Sequence, residues 1–166
     1  MASYLILDAY NVIGALERYR KADSFDAARE SLVNDALKAA GWTGHEIYIV
    51  FDAHRSPGSE RIEPLAGGAV RAIYSASGES ADDVIERLIG KLDGEFTVYT
   101  ADFALQRTVL ARSGSRATPR EFQDLLDELP AVTSRPGVRR RYRIADHLSA
   151  QARVKLEEIR RRAGDG

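Results

Sequence analysis

Acidic residues recur where three predicted strands end. Asp8 closes the segment Leu5-Ile6-Leu7-Asp8, Asp52 closes Ile49-Val50-Phe51-Asp52, and Asp102 follows a strand after one intervening residue. The carboxyl ends of parallel strands converge at one edge of a sheet, so these carboxylates are predicted to share a crevice. Neighbouring carboxylates repel each other unless a cation lies between them, and hard oxygen ligands suit Mg²⁺ or Mn²⁺. The pattern therefore indicates metal-dependent chemistry such as phosphodiester hydrolysis.

A fourth acidic segment, Glu79-Ser80-Ala81-Asp82-Asp83, precedes a helical pattern. Ser80 and Asp83 have the spacing of a capping box, which is a structural alternative for Asp83. Successive helical residues diverge by about 100°, so Asp82 and Asp83 cannot face the crevice equally. At least one of the two is predicted to be a ligand.

Each of the other candidates also has a structural alternative. Asp8 could form a turn that ends its strand, Asp52 could orient other ligands, and Asp102 could cap the following helix. Asn11 could hold a phosphate or a metal-bound water, or cap a helix beginning near residue 13. Gln106 is expected to lie on the helix face of Asp102, at i+4, and to contact the substrate backbone together with Arg107. The predicted catalytic residues are Asp8, Asn11, Asp52, Asp82, Asp83 and Asp102, and the predicted metal ligands are Asp8, Asp82, Asp83 and Asp102.

The elements that must position these residues alternate along the chain. Apolar, β-branched or aromatic runs predict strands over 4–7, 46–51, 70–74 and 96–100. Helical patterns cover 24–40, 80–92, 102–113 and 118–129, and the last begins with a capping box from Thr118 to Glu121. This alternation predicts an α/β fold, with a Rossmann-like parallel sheet flanked by helices in a single domain.

Charge divides the chain into two regions. The net charge is −1, but residues 135–166 contain 10 basic and 4 acidic side chains, whereas residues 1–134 are acidic. We predict a domain over 1–134, followed by a basic linker and a C-terminal helix that docks on it. One basic cluster is predicted to grip phosphates and to stack a base, and its alternative is a solvated linker. It consists of Arg139, Arg140, Arg141, Tyr142 and Arg143.

Several other classes of protein are excluded by what the sequence lacks. It has no cysteine, no phosphate-binding Gly-x-x-x-x-Gly-Lys-Ser/Thr loop, no Gly-x-Ser-x-Gly elbow and no dinucleotide-binding glycine motif. Its apolar runs are too short to span a bilayer. A cytoplasmic location without membrane insertion is therefore expected.

Four segments in order resemble the YacP-like NYN domain, a branch of the PIN-like nucleases, over about residues 3–160. They are 7–14, 50–53, 78–86, and 99–102 with Gln106. The resemblance implies a Rossmann-like sheet and a Mg²⁺- or Mn²⁺-dependent endoribonuclease, with members that act on messenger RNA, in at least one case with the ribosome. It carries over the six predicted catalytic residues as the acidic-site positions. Ser80 stands where threonine is common, and residues 114–118 match the usual glycine-led turn only loosely.

The resulting hypothesis is a metal-dependent endoribonuclease that cleaves single-stranded RNA, with messenger RNA as candidate substrate and the ribosome as candidate partner. The alternative is a non-catalytic RNA- or ribosome-binding module with a structural metal site. A third hypothesis, a metal-dependent phosphatase, would need a second aspartate two residues after a nucleophilic one. Tyr10 occupies that place after Asp8.

Overall fold

The computed structural model describes residues 2–53 and 57–130. The basic segment 135–166, with its predicted helix and phosphate contacts, lies outside the described residues. The strands are β1 Ser3–Asp8, β2 Glu46–Phe51, β3 Arg61–Leu65, β4 Val70–Tyr74, β5 Glu95–Tyr99 and β6 Ser115–Ala117. The helices are α1 Ala9–Ala15, α2 Glu17–Arg20, α3 Phe25–Thr43, α4 Ala81–Ile89, α5 Gln106–Ala111 and α6 Pro119–Glu128.

The strands form one six-stranded sheet in the order β3-β4-β2-β1-β5-β6. From β1 the chain builds outward on one side through β2 and β4, and then crosses through α4 to β5 on the other side of β1. The reversal places a topological switch point at the carboxyl ends of β1 and β5. Open α/β sheets bind their ligands at such a crevice.

Hydrophobic side chains cover both faces of the sheet, because successive strand residues point to opposite sides. Leu5 and Leu7 of β1 contribute to a core shared with α1, α2, α3 and α6, while Ile6 contributes to a second core shared with α4 and α5. A sheet buried on both faces needs nearly continuous apolar strands, as β1 and β2 have. The central strands therefore form a rigid support for side chains at their ends.

The predicted sheet is correct in its parallel centre and incomplete at its edges. The edge strand β3 was not predicted, and it pairs antiparallel to β4 because only a short 3-10 turn, Ala66–Gly68, separates the two. The short edge strand β6, which pairs parallel to β5, was not among the four strands predicted from apolar runs, and the loose family match at residues 114–118 leaves it open. Pro64 and the charged residues of β3 are typical of an exposed edge and hide the strand pattern.

In the part of the chain that the structure describes, none of the helices has the length and apolar character needed to span a membrane.

Candidate active site at the carboxyl edge of the sheet

Asp8 lies at the end of the central strand β1 and is almost completely buried, with 3% of its surface exposed. Its Oδ2 atom accepts hydrogen bonds from the Asn11 amide at 2.8 Å and from the Thr100 hydroxyl at 2.9 Å. Burial raises the pKa of Asp8, and these two hydrogen bonds oppose the shift. Asn11 lies within α1, which begins at Ala9, so its amide positions Asp8 instead of capping a helix near residue 13.

Thr100 connects two of the predicted acidic residues, and it was not predicted as a site residue. Its buried hydroxyl donates to Asp8 and accepts a hydrogen bond from the Asp102 backbone N–H at 3.0 Å. Thr100 follows β5 directly, where the sequence suggested only the last residue of a strand. A hydroxyl one residue beyond a buried strand and two before an aspartate was the available signal.

Asp102 does not cap the helix that follows it, which was the structural alternative to its predicted role as a metal ligand. Its Oδ1 atom accepts the Ala104 backbone N–H at 2.8 Å, which is a local turn, and α5 begins only at Gln106. The prediction that Gln106 shares a helix face with Asp102 is therefore wrong. Gln106 is the first residue of α5 and is partly exposed, and Arg107 beside it is exposed.

Asp82, in the first turn of α4, faces the same crevice. Its pKa is raised to about 6, first by partial burial and then by the negative charges of Asp102 and Asp8. A hydrogen bond with Asp102, which the protonated carboxyl of Asp82 can donate, adds to the shift. The carboxyl groups of β1 and of the loop after β5 are thus close enough to that of α4 to oppose the ionisation of Asp82.

Asp83 is held by the end of its own helix. Its carboxylate accepts the Ser80 backbone N–H at 3.0 Å while the Ser80 hydroxyl accepts the Asp83 N–H, which completes the capping box. These hydrogen bonds lower the pKa of Asp83. The geometry therefore distinguishes two neighbours that the sequence could not separate: Asp82 faces the other acids, and Asp83 caps α4.

Asp52, at the end of β2, stands on the other side of the crevice. Its carboxylate is 3.5 Å from the backbone N–H of Ala81, the residue before Asp82. It also lines a cleft of about 250 Å³ between β2, β4 and the start of α3. Asp52 thus lies between the acidic residues and this cleft.

The chemistry of the donors, which are carboxylate oxygens, suits a hard divalent cation. Among residues 2–53 and 57–130, no group of three or more acidic or histidine side chains has the spacing of a complete metal site. Mg²⁺, however, usually keeps several waters and uses only one or two protein carboxylates together with substrate phosphates. The charges of Asp102 and Asp8 both raise the pKa of Asp82, and the charge of Asp102 also raises the pKa of Asp8, so negative charge is concentrated where a cation would relieve it.

Comparisons with known proteins agree with this geometry. The model of the YacP-like NYN domain matches residues 5–161. The chain belongs to the YacP-like NYN domain family. A curated relative, "Uncharacterized protein YacP" of Bacillus subtilis (strain 168), is 31% identical over 159 residues, covering 93% of this chain and 89% of that protein.

Two solved structures share the fold of this chain. The crystal structure of Rae1 (YacP) from Bacillus subtilis superposes with a TM-score of 0.63 at 27% identity, covering 97% of this chain and 84% of that chain. The crystal structure of a mutant of that protein gives the same TM-score of 0.63 at 24% identity, covering 94% of this chain and 99% of that chain. Domains of this family are nuclease-like domains associated with RNA, and they usually use divalent metals.

Proposed function

We propose that this chain is a metal-dependent endoribonuclease that cleaves single-stranded RNA at the carboxyl edge of its sheet. The observation that carries the proposal is the convergence of Asp8, Asp82 and Asp102, from three separate elements, at the topological switch point of a nuclease-like domain. Messenger RNA is the proposed substrate, and the ribosome is the proposed place of encounter.

One or two of the carboxylates of Asp8, Asp82 and Asp102 would hold Mg²⁺ or Mn²⁺, together with water and an RNA phosphate. Such a cation, when bound, supplies an activated water at neutral pH and neutralises charge on the reacting phosphate. Asp8 would act from a fixed position, because Asn11 and Thr100 both bind its Oδ2 atom. Asp82 would need to be ionised to bind a cation. Because its pKa is raised to about 6, cation binding would be more favourable above about pH 6 than below it. Asp52 would act at the border of the site, between the acidic residues and the neighbouring cleft.

The predicted role of Asp83 as a direct ligand is not part of this proposal, because the capping box already uses its carboxylate. Gln106 and Arg107 remain predicted contacts to the RNA backbone at the start of α5. The predicted phosphate contacts of Arg139–Arg143 remain predictions as well. Their loss should weaken RNA binding and flatten its salt dependence.

The decisive experiment incubates the purified chain with labelled single-stranded RNA, with EDTA or with Mg²⁺ or Mn²⁺. Internal cleavage should depend on the added metal and should be lost in Asp82→Asn. Asp83→Asn is the matched control, since it removes the same charge one residue away and should retain most of the cleavage. Its fold should be checked by circular dichroism, because loss of the capping box weakens α4.

Two outcomes would contradict the proposal. Equal cleavage by wild type and by Asp82→Asn would place the activity elsewhere or in a contaminant. RNA binding without cleavage, on free RNA and on translating ribosomes alike, would favour the non-catalytic RNA- or ribosome-binding module.

A further inference from the structure

We propose that the cleft beside Asp52 is a binding subsite for one unpaired nucleobase of the RNA strand and its adjoining phosphate. The inference deepens the proposed function and rests on it, because it assigns part of the substrate path next to the acidic residues. The described lining of the cleft includes four aromatic rings, two arginines and Asp52. Aromatic faces together with cationic groups form the usual surface for single-stranded nucleic acid.

The aromatic rings occur as two stacked pairs. Tyr10 of α1 stacks on Phe25 of α3 with ring centroids 5.1 Å apart, and Phe51 of β2 stacks on Tyr74 of β4 at 5.0 Å. The first pair remains 44% and 43% exposed. Rings that only joined α1 to α3 would be expected to be buried, as Tyr19 is. Instead Tyr10 and Phe25 present apolar area to the cleft, where a base can stack.

Both arginines are placed to meet a phosphate. Arg29 lies four residues after Phe25 on α3, and its positive charge also acts on the Tyr10 hydroxyl. The Arg61 guanidinium lies 4.3 Å from the centroid of the Tyr74 ring. Each arginine pairs with an exposed carboxylate, Arg29 with Asp26 at 3.3 Å and Arg61 with Glu63 at 3.1 Å. Exposed ion pairs of this kind contribute little to the stability of the fold. A phosphate can therefore compete with these carboxylates for both guanidinium groups.

Size and position favour a single base over a larger ligand. At about 250 Å³ the cleft is smaller than the sites that hold whole drug-sized molecules or cofactors. Asp52 connects it to the catalytic residues, since the Asp52 carboxylate also approaches the start of α4. A base held there therefore lies one strand away from Asp8 across the sheet, since β2 and β1 are neighbours. The Asp52 carboxylate would favour bases that present N–H donors.

The test measures binding of a labelled single-stranded oligoribonucleotide by fluorescence anisotropy, with the full chain and with EDTA to prevent cleavage. Phe25→Ala and Tyr10→Leu should each weaken binding roughly 5- to 10-fold, which corresponds to the loss of a stacked base. Tyr10→Phe keeps the ring and should bind as the wild type does. Tyr10→Leu retains apolar packing, and melting temperatures of all variants verify that they fold.

Trp42→Ala is the matched control. Trp42 is also an exposed aromatic residue of α3, at 61%, but it lies near the end of α3, which leads to the amino end of β2 at the opposite edge of the sheet. Its removal should leave the affinity unchanged. A series of oligomers with one abasic nucleotide moved along the strand adds a second readout. An abasic nucleotide at one position should weaken the binding of the wild type. The same oligomer should bind to Phe25→Ala no more weakly than the intact oligomer does, because the stacking contact is already lost.

Unchanged affinity in both Phe25→Ala and Tyr10→Leu would overturn the subsite, as would a wild type that does not bind RNA. An equal loss in Trp42→Ala would overturn it too, because the effect would not be local. The result is separable from the proposed function. If the wild type cleaves RNA with metal but the aromatic variants bind RNA as well as it does, the nuclease proposal stands and the subsite is ruled out. If the aromatic variants bind RNA more weakly but the wild type never cleaves it, the subsite stands and the nuclease proposal is ruled out.

Discussion

Asp8 and Asp35 are both buried carboxylates, exposed at 3% and 5%, and their surroundings are opposite. Asp35, in α3, pairs with Arg18 at 3.0 Å and Lys38 at 3.7 Å and accepts the Tyr19 hydroxyl at 2.8 Å. Asp8 accepts hydrogen bonds from the neutral side chains of Asn11 and Thr100, and the charged group that acts on its pKa is another acid, Asp102.

Under the proposed function, this difference separates a structural carboxylate, Asp35, from a metal-binding one, Asp8. Buried charges are normally paired within the protein, because an isolated buried charge is costly. Asp35 follows that rule through cations of the chain itself. Asp8 is fixed in position by neutral donors, and the charged group that acts on it is another acid, Asp102, which is an arrangement that a bound cation would stabilise.

The largest expected effect is on catalysis at Asp8. Asp8→Asn should reduce metal-dependent RNA cleavage by about 100-fold or more, because it removes a charged ligand worth several kcal/mol to the reaction. The melting temperature should not fall correspondingly, since asparagine keeps an acceptor for Asn11 and Thr100. Cleavage rates and thermal unfolding measured on the same preparation check both halves, and undiminished cleavage would contradict the assignment.

Asp35→Asn should have the converse effect, on the stability of the fold. It should destabilise the fold by about 2 to 3 kcal/mol, because Arg18 and Lys38 lose their buried partner while their own partial exposure limits the penalty. The free energy of unfolding in urea measures this. Glu17→Gln, which removes the partner of Lys21 in an exposed ion pair, is the control and should cost well under about 1 kcal/mol. Similar losses in both variants would remove the distinction.

Asp82 should make the metal-free protein less stable as the pH rises. Its pKa is near 3.8 unfolded and about 6 folded, so the folded state binds more protons between these values, and stability is lost as the pH rises through that window. Asp82→Asn should remove this slope and stabilise the protein at neutral pH by about 1 kcal/mol, allowing for solvent screening at a partly exposed group.

Unfolding measured at intervals of about one pH unit, from about pH 4 to about pH 7, tests this slope. Added Mg²⁺ or Mn²⁺ should raise the melting temperature of the wild type and not of Asp82→Asn, by mass action on the folded state. A difference in stability between the wild type and Asp82→Asn that stays constant over this range would exclude the raised pKa of Asp82.

The smallest effect is expected at Thr100. Thr100→Val keeps the shape but leaves Asp8 without one donor and the Asp102 N–H without its acceptor, which should cost about 1 kcal/mol and reduce cleavage. Thr100→Ser restores the hydroxyl and should recover most of the cleavage. A valine variant as active as the serine variant would show that Thr100 does not position the acids.

The centre of the fold was predictable because it depends on apolar runs. Strands β2 and β4 have the bounds that the sequence predicts, and β1 and β5 differ by one or two residues. The edges follow other rules: β3 is charged, contains Pro64 and is held mainly by pairing with β4. The start of α5 was misplaced because the Asp102 carboxylate forms a turn with Ala104 before the helix begins.

The acidic residues were predictable by type, and their grouping was only partly so. The sequence places Asp8 and Asp102 after strands, but it does not show that Thr100 links them. It offers Asp82 and Asp83 equally, whereas the rotation of α4 directs the two side chains to different partners. Such three-dimensional details require the packing of α4 and β5 against β1.

The hydrogen bond from Thr100 to Asp8 spans 92 positions of the chain. Ribosomes make proteins from the amino end, so a growing chain carries Asp8 long before Thr100 and Asp102 exist. Under the proposed function, the unfinished enzyme cannot cut the message that encodes it until synthesis has passed β5 and that strand has joined β1. If the proposed function holds, the order of the sheet would delay activity until most of the chain has been made.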